Sequence, residues 1–365
     1  MKRSFKTSGA FAVTAAAALV LSSCGEAPEE ESDNGEAAAS EETDYKACVV
    51  SDEGGWDDRS FNQSAYEGLQ MAIDEMNIQH AEAQSTAESE YAPNVDTMVQ
   101  QDCDVVFGVG FLLEEGLRLA AESNEDTNFA LIDSYFNEEE LEGELENGKP
   151  LVFNTGEAAY LAGYVAAATT ETGTVGTWGG IQIPSVTVFM DGFADGVTRY
   201  NDDNDGDVEL VGWDKEEQSG TFSGDFSDQT QGGEVTEQLL SQGADIVMPV
   251  AGNAGVGAGP VLEDADAKMI WVDSDGYEST DFPDIMLTSV MKEIGQSVYA
   301  TIEEGVAGEF TSEPYVGTLE NEGVGLAPFH DFEDEVPSEV QDAIEQLRQE
   351  IIDGETVIES ENAPS

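Results

Sequence analysis

The 365 residues, 40% of them hydrophobic, can bury one large or two medium cores, and at about 100 to 200 residues per domain the length favours two. Twelve Lys and Arg stand against 78 Asp and Glu, a formal net charge of −66, and such a field repels polyphosphate, which excludes a nucleic acid polymer as partner. Self-repulsion on that scale is tolerable only under strong screening, since the Debye length falls to about 3 Å at 1 M salt; the composition therefore predicts a halophilic or salt-tolerant source with an acidic surface.

In chain order, MKRSFK supplies positive charge and the apolar run from Ala10 to Leu21 is too short to span a bilayer, which reads as a signal peptide over residues 1–23. It ends in Leu21-Ser22-Ser23-Cys24, a tetrad that resembles the lipobox of bacterial lipoproteins and implies lipidation at Cys24. The predicted location is then the extracytoplasmic face of the cell membrane, held there by an N-terminal lipid anchor. Gly25 to Asp44 carries nine acidic residues, no basic ones and no large apolar side chain. Such a segment cannot bury enough surface to fold, so residues 24–44 form a disordered tether.

Ala47 to Val50 and Asp104 to Val109 read as buried parallel strands. A helix on Ala65, Leu69, Ala72 and Met76 follows the first, with Ser60 as a plausible cap. A second helix lies over LLEEGLRLAAESN, and FALID is a strand ending at Asp133. First and third strands are neighbours in a doubly wound sheet, so Cys48 and Cys103 lie within disulfide reach in an oxidising location; two free buried thiols are the alternative. A second strand series follows at Thr174, Glu209, Asp245, Lys268 and Ile285. The reading is α/β: two doubly wound parallel-sheet lobes with a ligand cleft between them. Residues 45–156 with about 276–308 are assigned to lobe 1, and 157–275 with about 309–358 to lobe 2. Near the C-terminus, Val340, Ile344, Leu347 and Ile351 before Gly354 mark an amphipathic packing helix.

Catalytic patterns fail one after another. FGVGFLL has Leu113 where the dinucleotide fingerprint needs its third glycine, and AGNAGVGAGP lacks the Lys-Ser/Thr of a phosphate loop. No Gly-x-Ser-x-Gly elbow exists. His80 and His330 are far apart, and 78 acids always offer a carboxylate pair, so a glycosidase pair carries no weight. Asn201 to Gly206 spells half of a calcium loop, but its twelfth position is Gly212 where a bidentate Glu is required. An acidic surface turn is the better reading there. No catalytic residue, metal or cofactor is expected.

Nine segments, among them DDRSFNQSAYEG, NTGEAAYLAGYVAAA, GTFSGDFSD, GADIVMPVAGNAGVG, WVDSD and LTSVMK, are similar in order and spacing to the basic membrane protein family of lipoproteins, the purine-nucleoside receptors of ABC importers. The resemblance implies a type I periplasmic-binding fold, two lobes joined by three crossovers and closing on the ligand. It implies that Phe61 and Phe226, one on each lobe, sandwich a purine, for which stacking is worth about 1 to 3 kcal/mol per base. Asn62 offers a donor and an acceptor to the ring edge. Asp273, with Asp275 as rival, would take the ribose diol, and Lys292 would donate to the sugar. Asp52 and Gly252 complete the set, and Asn154 and Glu157 stand where the family also contacts ligand. The implied protein is a monomer that captures a small nucleoside and hands it to an ABC transporter permease without making or breaking a bond. The alternatives are a ligand-sensing receptor using the same cleft and, less favoured, a nucleoside or glycoside hydrolase.

Overall fold

The computed structural model describes residues 43–137 and 145–364. The expected signal peptide, Cys24 and the tether as far as residue 42 lie outside the described residues. The first lobe is laid down as β1 (Thr43–Ser51), α1 (Phe61–Met76), β2 (Ile78–Ala83), α2 (Tyr91–Gln100), β3 (Val105–Val109), α3 (Glu114–Ser123), β4 (Asn128–Ile132) and β5 (Gly148–Phe153). The chain crosses over and builds α4 (Thr155–Thr169), β6 (Thr174–Gly179), α5 (Pro184–Asn204), β7 (Glu209–Val211) and the short pair β8 (Trp213–Asp214) and β9 (Ser219–Gly220). The second lobe continues with α6 (Gln229–Ser241), β10 (Ile246–Val250), α7 (Gly252–Val256), α8 (Ala258–Ala265), β11 (Lys268–Asp273), α9 (Gly276–Ser279) and β12 (Met286–Lys292). Then come α10 (Ile294–Ala307), β13 (Tyr315–Gly317), β14 (Val324–Leu326) and α11 (Ser338–Ile352).

Two six-stranded sheets result, ordered β13-β5-β4-β3-β1-β2 and β14-β12-β11-β10-β6-β7. All their pairings are parallel except that of β12 with β14. The unbroken buried runs of β1, β3 and β10 are what a parallel strand covered by helices on both faces requires. Helix α4 is buried almost all round, and its Gly163 explains how: a Cβ there would stand 2.1 Å from the carbonyl oxygen of Phe193, so only glycine lets α5 pack backbone to backbone.

The expected lobe boundaries are redrawn by the sheets. Residues 286–292 were assigned to lobe 1, yet β12 pairs with β11 through Ile270–Asp273 in the second sheet, and α10 alone of that segment returns to pack on α1. Residues 315–317, assigned to lobe 2, form β13 and extend the first sheet beside β5. The tether also ends two residues early, because Thr43 donates its N–H to Asn77 O (2.9 Å) and its hydroxyl to Met76 O (2.6 Å). Crossovers therefore fall at 153–155, 292–294 and 317–324.

Cys48 in β1 and Cys103 at the entrance of β3 are joined by a disulfide with a Cα–Cα separation of 6.1 Å. The acidic turn at Asn201–Gly206 ends α5. Asp205 is left-handed at φ 50, and the Asn201 side chain both donates to Val208 O and accepts from Val208 N, each at 2.9 Å. Those bonds tie the turn to the chain leading into β7.

Candidate ligand-binding cleft

The carboxyl ends of the two sheets face each other, which is where ligands sit in open parallel sheets. Asp52 follows β1, Gly110 follows β3 and Asp133 follows β4. From the other side, Gly252 follows β10 while Asp273 and Lys292 are the last residues of β11 and β12. Phe226 comes from the loop before α6, and Ser185, Val186 and Phe189 from the start of α5. Together they line a cleft between the two sheets, the kind of concave, mostly apolar setting in which small-molecule sites lie.

One cation stands in this cavity. The buried Lys292 ammonium is bonded to Asp133 Oδ2 and lies 3.2 Å from Asp273 Oδ1. It also sits 4.7, 5.3 and 5.7 Å from the ring centres of Phe61, Phe189 and Phe153. Burial alone would push its pKa down, but the Asp133 and Asp273 carboxylates outweigh that and hold it above the ordinary value, so Lys292 is charged. Asp133, itself buried, is pushed up by desolvation against the pull of Lys292. Asp133 and Asp273 are both left-handed, at φ 63 and 70, an uncommon conformation for a non-glycine residue that concentrates at functional sites.

The opposite wall is acidic and amide-rich. Asn62 Nδ2 donates to Asp52 Oδ1 at 2.7 Å and to Asp58 Oδ2 at 3.1 Å. Asp58 also accepts from the backbone N–H groups of Ser60, Asn62 and Gln63, so it caps α1. The Ser60 hydroxyl, expected to cap the helix, instead crosses the cleft: it lies 2.6 Å from Asp273 Oδ2 and 3.0 Å from Val272 O. Burial pushes Asp52 up to about 7, with the Asp58 and Glu53 carboxylates adding to it and the Gly54 N–H and Asn62 amide opposing. Asn62 Oδ1 is left buried without a hydrogen-bond donor, while Asp273 Oδ1 has no aligned donor but is ion-paired with Lys292 at 3.2 Å. An acceptor buried without any partner costs about 1 to 3 kcal/mol until a donor arrives.

Of the sequence-predicted positions, Asp52, Phe61, Asn62, Phe226, Gly252, Asp273 and Lys292 all line this one cavity. Gly252 is needed for its backbone angle (φ 49) more than for space, since the nearest atom to a Cβ there would be 3.7 Å away. Asn154 and Glu157 do not reach the cavity. They tie crossovers together: Asn154 N donates to Gly317 O (2.8 Å), Asn154 Nδ2 to Glu157 Oε1 (2.8 Å) and Leu319 N to Glu157 Oε2 (2.8 Å). Asp275, the rival for the diol, caps α9 and bonds His330 at 2.7 Å. Asp58, Gly110, Phe111, Asp133 and Phe189 line the cleft without having been singled out. Gly110 keeps it open: a Cβ there would lie 3.0 Å from Asp52 Oδ2 and 3.3 Å from Phe61 Cε1. Among the described residues no cluster of His, Cys, Asp and Glu could hold a metal, and no helix is long and apolar enough to cross a membrane.

A family profile, Bmp, described as "ABC transporter substrate-binding protein PnrA-like", matches residues 45–362. The "ABC transporter nucleoside-binding protein BmpA" of Lactococcus lactis subsp. cremoris is 32% identical over 341 residues, covering 87% of this chain and 90% of that one. An ABC transporter solute-binding protein from Aeropyrum pernix K1 superposes with a TM-score of 0.77 at 25% identity, over 87% of this chain and 94% of that chain. A transcriptional activator of the comK gene from Bacillus halodurans shares the fold, with a TM-score of 0.68 at 19% identity over 86% and 100% of the two chains.

Proposed function

Because the chain belongs to the Bmp family of PnrA-like ABC transporter substrate-binding proteins, we propose that it captures a purine nucleoside by closing its two lobes and delivers it to an ABC permease. In this reading it works at the outer face of the membrane, held by a lipid on Cys24. The observation that carries the ligand class is the buried Asn62 Oδ1 left without a donor, together with the Lys292-paired Asp273 carboxylate, in a cavity that also presents Phe61 and Phe226. A nucleoside brings both complements: a flat base to stack and hydroxyl and ring N–H donors to satisfy the acceptors. Asp273 takes the ribose diol, Lys292 adds a donor to the sugar, Asp52 and Asn62 face the base edge, and Gly252 lets the backbone approach. Phosphate is unwelcome, because the lysine that lines the cavity is already paired with Asp133 and Asp273 and the buried Asp58 stands on the opposite wall. Binding stabilises closed over open, since contacts come from both lobes.

Melting in high salt tests the reading. Guanosine, inosine or adenosine at 100 times its dissociation constant should stabilise the fold by about 2.7 kcal/mol, with AMP doing far less. A melting shift with AMP or a free sugar, and with no nucleoside, overturns it.

A further inference from the structure

Arg59 and Ser60, in the lobe 1 turn before α1, make a set of hydrogen bonds to lobe 2 in which no ligand takes part. The Arg59 carbonyl oxygen lies within reach of three donors from the β11 to α9 region: Trp271 Nε1 at 3.0 Å, Ser274 Oγ at 2.9 Å and Ser279 Oγ at 3.1 Å. Next to it, the buried Ser60 hydroxyl meets Asp273 Oδ2 and Val272 O. The turn is shaped for this. Arg59 is left-handed at φ 62, and Asp58 has taken over the capping of α1, which leaves the Ser60 hydroxyl free to leave its own helix.

We infer that Arg59 and Ser60 form a cross-lobe clasp in which the Arg59 carbonyl holds the cleft shut and Ser60 is a positioning residue for Asp273. With Oδ2 held by Ser60 at 2.6 Å, the Asp273 carboxylate can turn only Oδ1, which it shares with Lys292 at 3.2 Å, toward a ligand. The diol-binding carboxylate on lobe 2 is thus oriented by lobe 1, so it is correctly aimed only when the lobes have met. Closure and sugar recognition become one event, and part of the closing free energy belongs to the protein itself. Ser274 and Ser279 lie outside the ligand cavity, in a groove behind the Asp273–Lys292 pair, so they can be altered without touching the ligand. The sugar part of the inference rests on the nucleoside reading above; the clasp does not.

The test uses the full chain in high salt, with Ser274→Ala/Ser279→Ala as one variant and Ser60→Ala as a second. Small-angle X-ray scattering gives the radius of gyration with and without guanosine, and calorimetry gives affinities for guanosine and 2′-deoxyguanosine. The double variant should be larger than wild type when ligand-free, return to the wild-type radius with guanosine, and weaken both ligands by the same factor. Ser60→Ala should weaken guanosine roughly tenfold, the order expected for one hydrogen bond to a charged group. It should weaken 2′-deoxyguanosine much less, narrowing the preference for ribose. An unchanged ligand-free radius in the double variant overturns the clasp, and equal weakening of both ligands by Ser60→Ala overturns the positioning of Asp273. If Ser60→Ala does not fold, the double variant still decides the clasp. Wild type that binds no nucleoside sinks the proposed function, while ligand-free scattering continues to judge the clasp by itself.

Discussion

Asp52 holds its proton at a pH where an exposed aspartate has long since lost one. Its pKa is raised to about 7 by burial, with Asp58 and Glu53 adding to the effect. A carboxyl whose folded pKa lies above its unfolded value binds more protons when folded, so its contribution to stability is complete below about pH 4 and is lost as pH rises through 7. Asp52→Asn keeps an acceptor for the Asn62 amide without the titration. It should therefore flatten the fall in ligand-free stability between pH 4 and 8 and raise the melting temperature at pH 8; a variant that loses stability equally at both ends would place the shift elsewhere. The ligand contacts make a second prediction. Phe226→Ala should cost about 1 to 3 kcal/mol of nucleoside binding through lost stacking, and Asp273→Ala about 1.5 to 3 through lost charge-assisted bonds, each with little change in the ligand-free melt. Calorimetry with a parallel melt checks both, and unchanged affinity would put these side chains outside recognition. That Phe61 and Phe226 line the cleft was legible because aromatic residues in polar, glycine-bearing stretches have no obvious core to enter. Asp133 was not, although it follows β4 directly, much as Asp273 closes β11, because one aspartate among 78 acids carries no contrast. Asn154 and Glu157 fall off the cavity, which the sequence does not signal because a crossover residue and a cleft-lining residue stand equally close to a strand end.

At the scale of elements, hydrophobic runs announced the strands, and FALID, DIVMPV and KMIWVDSD became β4, β10 and β11. Sheet membership was illegible for β12 and β13, since an apolar strand carries no mark of which neighbour it will pair with once the chain has crossed between lobes. Helix starts were blurred for a related reason: Ser60 looks like a cap, but a partner 213 residues away claims its hydroxyl. The disulfide is the element-scale device that position in the sheet did foreshadow, as β1 and β3 are adjacent. Its two cysteines are separated by 55 residues. Restricting a loop of that size in the unfolded chain is worth about 4 kcal/mol in the chain-entropy description, within a measured range of about 2 to 5 for native bridges. Cys48→Ser/Cys103→Ser should therefore lower denaturant resistance by that order. Nucleoside affinity should hold once the variant is folded, because neither cysteine lines the cleft. A stability loss below about 1 kcal/mol would mean that the packing of β1 against β3 already restrains this segment.

The whole molecule is governed by its charge. Among the described residues Arg118, Lys149, Arg199, Lys215, Lys268 and Lys292 sit in ion pairs, and twelve Lys and Arg in all leave most of the 78 acids without a cation from the protein. Some of that repulsion acts across the cleft. Glu53 of lobe 1 is pushed upward first by burial, then by Asp225 of lobe 2 and by Glu88, so closing the lobes brings like charges together at the rim. At 1 M salt the Debye length of about 3 Å hides such a pair; at 0.1 M it is about 10 Å, and the two lobes feel each other's field. Desalting should then act in two stages. Opening comes first, because only the proposed clasp, the buried Lys292–Asp133 pair and the crossovers resist it, and loss of the fold follows as repulsion within each lobe grows. Scattering during stepwise dilution from about 1 M to below about 0.1 M salt should show the radius rising before the far-ultraviolet circular dichroism changes. On the proposed function, guanosine should delay the first stage by bridging the two lobes. A ligand-free protein that keeps both its radius and its circular dichroism through desalting would remove the salt requirement, and with it the reading of −66 as an adaptation to brine.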